Sequence, residues 1–197
     1  MLSELVRKTR TVRRFQEERE LDRQQLIDLV NLAHLGGSAR NVQPLKYLVA
    51  CEPNFRKRIF PHLGWAGYLQ DWPGPAPGER PTGYIVCLLD TRLATESIHA
   101  ADVDLGIATQ NILLGAAERG IFGCRIGSFS KKLHTVLGIK DFLKIVLVIA
   151  LGYPAETVVL EEVGADGDIR YWRDSHQIHH VPKRRMEDIL VEAGSAD

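Results

Sequence analysis

Four short stretches of this 197-residue chain carry side chains able to bind or position a ligand. The first is residues 9–15, where Arg10, Arg13 and Arg14 stand among the hydroxyls of Thr9 and Thr11. Guanidiniums are planar fork donors, and several of them beside hydroxyls suit a phosphate group. A solvated basic face has the same look. The second stretch, Ser38-Ala39-Arg40-Asn41-Val42-Gln43-Pro44, offers amide and hydroxyl groups that both donate and accept, as reading the edge of a heteroaromatic ring requires. It also reads as a capped turn before an extended X-Pro segment. The third, residues 120–128, sets Gly120, Gly123 and Gly127 around Cys124, Arg125, Ile126 and Ser128, where backbone N–H groups could approach a ligand. A buried strand flanked by glycines explains it equally well. The fourth, Val181-Pro182-Lys183-Arg184-Arg185, is a second basic cluster some 170 residues from the first. At a helix start, cations oppose the helix dipole, so they make better sense there with an anion nearby.

The remaining chemistry is mostly excluded. No Gly-x-Ser-x-Gly, His-Glu-x-x-His, P-loop or dinucleotide fingerprint is present. His176, His179 and His180 form a modest tract that no carboxylate or cysteine pattern completes into a metal site, and they read as loop or surface residues. Without an acid–base pair or nucleophile, no catalytic side chain is assigned. That is the profile of an enzyme whose cofactor carries the reaction.

These stretches need elements to hold them. Residues 2–8 fit a short helix, and Asp22 with Gln25 forms a capping box ahead of Leu26, Leu29, Val30 and Ala33 on one helical face, closed by Gly36 and Gly37. Strands are expected at 47–51, 84–89, 121–126 and 145–151, with short helices near 55–59 and 131–137. Residues 97–119 form the strongest helix, apolar round much of its circumference and so expected to be central and buried. Gly106 and Gly115 would admit another backbone. Residues 71–83 are rich in Pro and Gly and, with Trp65, Tyr68 and Trp72, suggest a functional loop on the substrate side or at a dimer contact. A last helix is expected at 185–191. The interleaving lacks regular βα alternation, which favours an α+β fold in one domain spanning 1–197.

Lys+Arg and Asp+Glu balance at 25 each, so no global field recruits nucleic acid or an anionic membrane, and any anion site is local. Cys51, Cys87 and Cys124 show no metal or redox spacing and read as buried free thiols of a cytoplasmic protein.

Taken in order, the segments resemble the nitroreductase family. Residues 9–15 resemble its N-terminal Arg-Arg-Ser-x-Arg-x-Phe stretch, and 38–45 its Ser-x-x-Asn-x-Gln-Pro-Trp loop. Residues 102–120 resemble its long central helix, Leu151-Gly152-Tyr153-Pro154 its Leu-Gly-Tyr-Pro element, and 182–190 its C-terminal basic segment. The resemblance implies a central, mostly antiparallel sheet surrounded by helices, with a long buried central helix. It further implies FMN as cofactor, NADH or NADPH as electron donor, and a homodimer with FMN at the subunit interface. On this chain, Arg10, Thr11 and Arg13 would hold the phosphate and ribityl chain, and Ser38, Asn41 and Gln43 would face the isoalloxazine. Ile126, Gly127 and Ser128 would lie near the flavin, and Lys183, Arg184 or Arg185 would close over the phosphate. The implied reaction is ping-pong transfer from NAD(P)H through flavin to a nitroaromatic, quinone or similar small acceptor. A dehalogenating or flavin-degrading enzyme of the same fold, or a non-catalytic anion- or nucleotide-binding protein, stands as the alternative. Thr9 replaces a common Arg and Leu45 the usual Trp.

Overall fold

The computed structural model describes residues 1–94 and 98–192. Its helices are α1 (Leu2–Lys8), α2 (Arg23–His34), α3 (Pro53–Ile59), α4 (Ile98–Glu118) and α5 (Lys132–Leu137). Its strands are β1 (Leu45–Ala50), β2 (Gly83–Asp90), β3 (Phe122–Ile126), β4 (Leu143–Gly152), β5 (Val158–Glu162), β6 (Trp172–Arg173) and β7 (His179–Lys183). Most elements lie within a residue or two of their expected bounds. Ser97, the expected first residue of the long helix, lies outside the described residues.

The main sheet is antiparallel throughout, in the order β1-β2-β4-β3. Every residue of β2 is buried, because the strand is central and covered on both faces. Ile85 and Cys87 join Leu26, Leu29, Ala108, Ile112 and Ala116 under α2 and α4. Tyr84, Val86 and Leu88 face Ile59, Leu133 and Leu137 of α3 and α5. Strand alternation thus turns one continuous apolar run into two cores. The Asp22 carboxylate accepts from the Gln25 N–H at 2.8 Å, and the Gln25 side chain returns to the Asp22 N–H at 2.9 Å, which is the capping box read from sequence. A Cβ at Gly115 would stand 2.0 Å from Leu32 Cδ1, so the missing side chain is what lets α2 pack onto α4.

α4 is the long central helix expected, buried at Ala101, Ala108, Ile112, Leu113, Ala116 and Ala117, with an exposed strip at Val103, Gly106 and Ile107. Two expectations are corrected. Residues 185–191 form turns rather than a helix. Met186, Ile189, Leu190 and Val191 are all exposed, so no apolar face is buried to offset the cost of nucleating so short a helix. Two of the three histidines are not superficial, since β7 inserts between β5 and β6 in a second, three-stranded sheet and His179 is 1% exposed, whereas His176 lies exposed in a turn as expected. Among the described residues no helix is long and apolar enough to cross a membrane.

Candidate functional site

Residues 9–15 run as an extended thread along the edge of the main sheet. Thr11 bridges Gly123, Phe15 bridges Pro154, and the Val12 N–H donates to the Gly123 carbonyl at 3.1 Å. Val12 and Phe15 are buried and anchor the thread. The Glu156 carboxylate accepts from the N–H groups of both Arg13 and Arg14 and pairs with Arg173 at 2.7 Å. Glu156 is thus engaged by the thread backbone and Arg173, and the Arg13 side chain pairs with no carboxylate among the described residues.

Above this floor lies a cavity of about 310 Å³. Thr9, Arg10, Thr11 and Arg13 come from the thread, Gln110 and Leu113 from α4, and Arg125 from β3. His179, Val181 and Lys183 come from alternate positions of β7, and Tyr171 completes the wall. Among the described residues four obligate cations line it and no carboxylate does. Partial desolvation lowers the pKa of Arg10 and of Arg125, although Arg125 still meets solvent. Arg125 is oriented by Nε donating to Thr109 Oγ1 at 2.9 Å and Nη2 donating to Gln110 Oε1 at 2.8 Å. Arg13 is 8% exposed, stacks over Tyr171 at 4.6 Å, and has Nη1 3.1 Å from His179 Nε2. A guanidinium only donates, so Nε2 accepts and the ring proton sits on Nδ1. Burial first, then Arg13 and Arg173, push the His179 pKa down to about 4. The ring is therefore neutral at physiological pH.

The polar loop is built differently. Ser38 donates to Asp104 Oδ2 at 2.6 Å, the Ala39 N–H donates to Asp104 Oδ1 at 2.9 Å, and the Gln43 N–H donates to Ser38 Oγ at 2.9 Å. Gln43 Nε2 donates to Asn41 Oδ1 at 3.0 Å. Arg40, Asn41 and Gln43 all have positive φ, 52°, 57° and 51°. Non-glycine residues held there cost of order 1–3 kcal/mol each and persist where surrounding structure fixes them, often at ligand sites. Asp104, 4% exposed, is that fixture. Ser38 and Gln43 line a second cavity of about 310 Å³ with Gly36, Gly37, Tyr47, Asp104 and Ala108.

The two cavities share α4 but not a face. At about 100° per residue, Asp104 and Ala108 point one way, and Gln110 and Leu113 point roughly the opposite way. One chain therefore brings Arg10, Thr11, Arg13 and Lys183 together and keeps Ser38, Asn41 and Gln43 apart from them. Of the basic tail, Lys183 reaches the cationic cavity, whereas Arg185 pairs with Glu162 at 2.8 Å and Arg184 is exposed beyond β7. Ile126 is 3% exposed in the core under α5, and Gly127 and Ser128 are exposed beside Gly64, whose N–H donates to the Ser128 carbonyl at 2.8 Å. None of these three lines either cavity.

Sequence reasoning missed Arg125, His179 and Asp104. Arg125 sits between the inward Cys124 and Ile126 and so belongs to the opposite face of β3 with Gly123, a period-two signal available in the sequence. His179 aligns with Val181 and Lys183 by the same rule. Asp104 carried no such signal beyond being an acid on a mostly apolar helix. The aromatic loop reaches the site indirectly: Tyr68 packs on Tyr171 at 4.9 Å and Trp72 lies against Arg173 at 4.4 Å.

Comparison with known proteins bears on the fold and the family. A protein of Archaeoglobus fulgidus, provisionally named an NADH dehydrogenase/NAD(P)H nitroreductase, is 26% identical over 153 residues, 75% of this chain and 83% of that protein. A nitroreductase family protein from Clostridium novyi NT superposes with TM-score 0.64 at 22% identity, covering 78% of this chain and 86% of that one. One from Streptococcus pneumoniae TIGR4 gives 0.64 at 21%, covering 80% and 92%. NfrA1 of B. megaterium gives 0.67 at 17%, covering 83% and 71%. These structures share the fold. The sequence model described as the Nitroreductase family matches residues 6–153, most of the chain, and the protein belongs to the nitroreductase family of oxidoreductases.

Proposed function

We propose that the chain is an FMN-dependent oxidoreductase that takes a hydride from NAD(P)H and passes electrons to a small nitroaromatic, quinone or similar acceptor in ping-pong fashion. The observation that carries this reading is the cationic cavity, where Arg10, Arg13, Arg125 and Lys183 meet without a single lining carboxylate. A doubly negative phosphate would supply the missing counter-charge, and each charged hydrogen bond to it would contribute about 1.5–3 kcal/mol. Thr11 adds a hydroxyl at the same wall.

FMN, when bound, supplies the hydride-accepting and electron-donating chemistry. The chain's own residues bind and orient. The arginines and Lys183 fix the phosphate end, His179 and Tyr171 hold Arg13 in place, and Asp104 clamps the loop whose Ser38, Asn41 and Gln43 amides and hydroxyl would face the ring edge. Gly127 and Ser128, exposed past the end of β3, and the backbone of Ile126 are assigned to the flavin's surroundings on the resemblance alone. So are Arg184 and Arg185, as auxiliary phosphate contacts. The opposed directions of the two cavities on α4 support a homodimer in which the loop of one chain completes the site of the other. The exposed strip of Val103, Gly106 and Ile107 supplies an apolar surface for it. Free thiols at Cys51, Cys87 and Cys124 fit a reducing, cytoplasmic setting.

The test is direct. Purified protein is expected to carry or take up FMN with one site per chain, to bleach on mixing with NADH or NADPH, and to recolour with a quinone or nitro compound. Protein that takes up no FMN and oxidises neither nucleotide refutes the reading.

A further inference from the structure

A smaller cavity, about 100 Å³, lies between the N-terminal thread, α3 and the start of β2, and shares no lining residue with the two already described. Arg56, Lys57 and Arg80 line it together with Phe60, Tyr84 and Glu17. The Arg56 side chain is 13% exposed and pairs with Glu20 at the rim, whose carboxylate is 64% exposed. Arg80 lies over the Phe60 ring at 4.3 Å and has no ion-pair partner among the described residues. The Nε atoms of both arginines are buried without a hydrogen bond. Tyr84 is 1% exposed, and its hydroxyl makes no hydrogen bond among the described residues. Burial raises the Tyr84 pKa, so the phenol stays protonated and is available as a donor. Glu17 is the one acid in the wall among the described residues, and its Oε2 already accepts from the Gly78 N–H at 2.6 Å and the Arg80 N–H at 3.3 Å.

Clustered arginines are commonplace where they are solvated. These two have buried stems fixed by Phe60 and Glu20, so their heads are held rather than free. The phenol beside them, on a side chain almost wholly buried, presents a donor to the cavity. Guanidiniums, an ammonium and a phenol together form a donor set that the Glu17 and Glu20 carboxylates satisfy only in part. The volume is well below the roughly 300 Å³ at which sites for drug-sized ligands begin, so the occupant is small. We propose that this cavity is a second anion site, taking one small oxyanion of phosphate or carboxylate type. Its occupant would tie α3 to the end of the 71–82 loop, where the Phe15 N–H already donates to the Glu79 carbonyl at 2.9 Å and Arg14 pairs with Glu79. Binding there stabilises the folded chain by mass action, independently of what fills the cationic cavity.

The experiment titrates inorganic phosphate, then acetate, at constant ionic strength, following backbone NMR shifts and thermal unfolding. It uses the wild type with and without saturating FMN, and the Arg10→Ala/Arg13→Ala variant, which is impaired only in the cationic cavity. Saturable phosphate binding with shifts centred on residues 56–60 and 78–84 is expected in all three. Arg80→Gln is expected to weaken it about tenfold or more, the loss of one charged hydrogen bond. Tyr84→Phe, which keeps the ring in the core, and exposed Lys57→Gln each give a smaller loss. Acetate binding at the same residues widens the class to carboxylates, and its failure narrows it to phosphoryl groups. The proposal is overturned by absent saturation in the wild type, by unchanged affinity in Arg80→Gln, or by loss of binding in Arg10→Ala/Arg13→Ala.

Discussion

Replacing Arg13 by methionine separates ligand binding from folding. The side chain is buried, so an unbranched apolar replacement preserves much of its packing against Tyr171 while removing the charge. The backbone stays anchored, because Glu156 holds the main-chain N–H of residue 13, which the substitution leaves in place. Without ligand, the variant loses the hydrogen bond to His179, about 1 kcal/mol, and also loses one of several cations crowded into a cavity without acids. The two changes oppose each other, and apo stability should stay within about 1 kcal/mol of wild type. FMN affinity should fall about ten- to hundredfold, from a lost contribution of about 1.5–3 kcal/mol. Arg173→Met is the control. Its partner Glu156 has a side chain 0% exposed, and stranding that carboxylate should cost about 3–5 kcal/mol of stability. Urea unfolding without FMN and fluorescence titration with FMN measure both quantities. If Arg13→Met unfolds as readily as Arg173→Met yet binds FMN normally, the cationic cavity is a structural feature and not a phosphate site.

Other consequences are more local. His179 has its pKa pushed to about 4, below the ordinary histidine value, so between those limits the unfolded chain binds the extra proton. Wild-type stability should therefore be complete above about pH 6.5 and decline as pH falls toward 4, and His179→Gln should flatten that decline in urea titrations; an unchanged slope refutes the assignment. A Cβ at Gly123 would stand 2.5 Å from the Ala150 carbonyl oxygen and 2.7 Å from Leu151 Cδ2, so Gly123→Ala must displace β3. A loss of about 1–3 kcal/mol is expected, with weakened FMN binding because Arg125 and the thread at Val12 move with the strand; wild-type stability would contradict it. Asp104→Ala removes the acceptor for Ser38 and the Ala39 N–H. Amide exchange across residues 38–43 should accelerate while β2 stays protected, and a uniform or absent change would show that the loop is held by something else.

The legible part of this protein was what local periodicity governs. Apolar continuity announced β2 and the glycine pair announced the end of α2, because burial and backbone freedom act on neighbours in sequence. The helix expected at 185–191 failed for the converse reason: its pattern was suitable, but the chain supplies no surface to cover its apolar side. The site was legible as two basic clusters and a polar loop. Which cations converge was not, because that depends on which face of β3 and β7 meets the thread. Arg125 and Lys183 are neighbours of Arg13 only through sheet register, and His179 was set aside as superficial because nothing local signals that β7 lies between β5 and β6.

That register also decides whether one chain suffices. Asp104 and Gln110 are six residues apart on α4, about 9 Å along the axis, yet their cavities open to roughly opposite sides. A flavin held by its phosphate in the cationic cavity cannot also meet Ser38 and Gln43 of the same chain without passing through the helix. A two-fold pair of chains solves this by exchanging loops. In such a pair Arg13→Met damages one half of each site, and Asn41→Leu with Gln43→Leu damages the other half. Either variant alone has two defective sites. Mixed and reassembled in equal amounts, about half the dimers are hybrid, and each hybrid holds one site with both lesions and one with none. About a quarter of all sites should then regain wild-type FMN affinity and turnover. If both halves belong to one chain, every site keeps one lesion and mixing restores nothing. Recovery to that level requires the shared site, and its absence in confirmed hybrids refutes it.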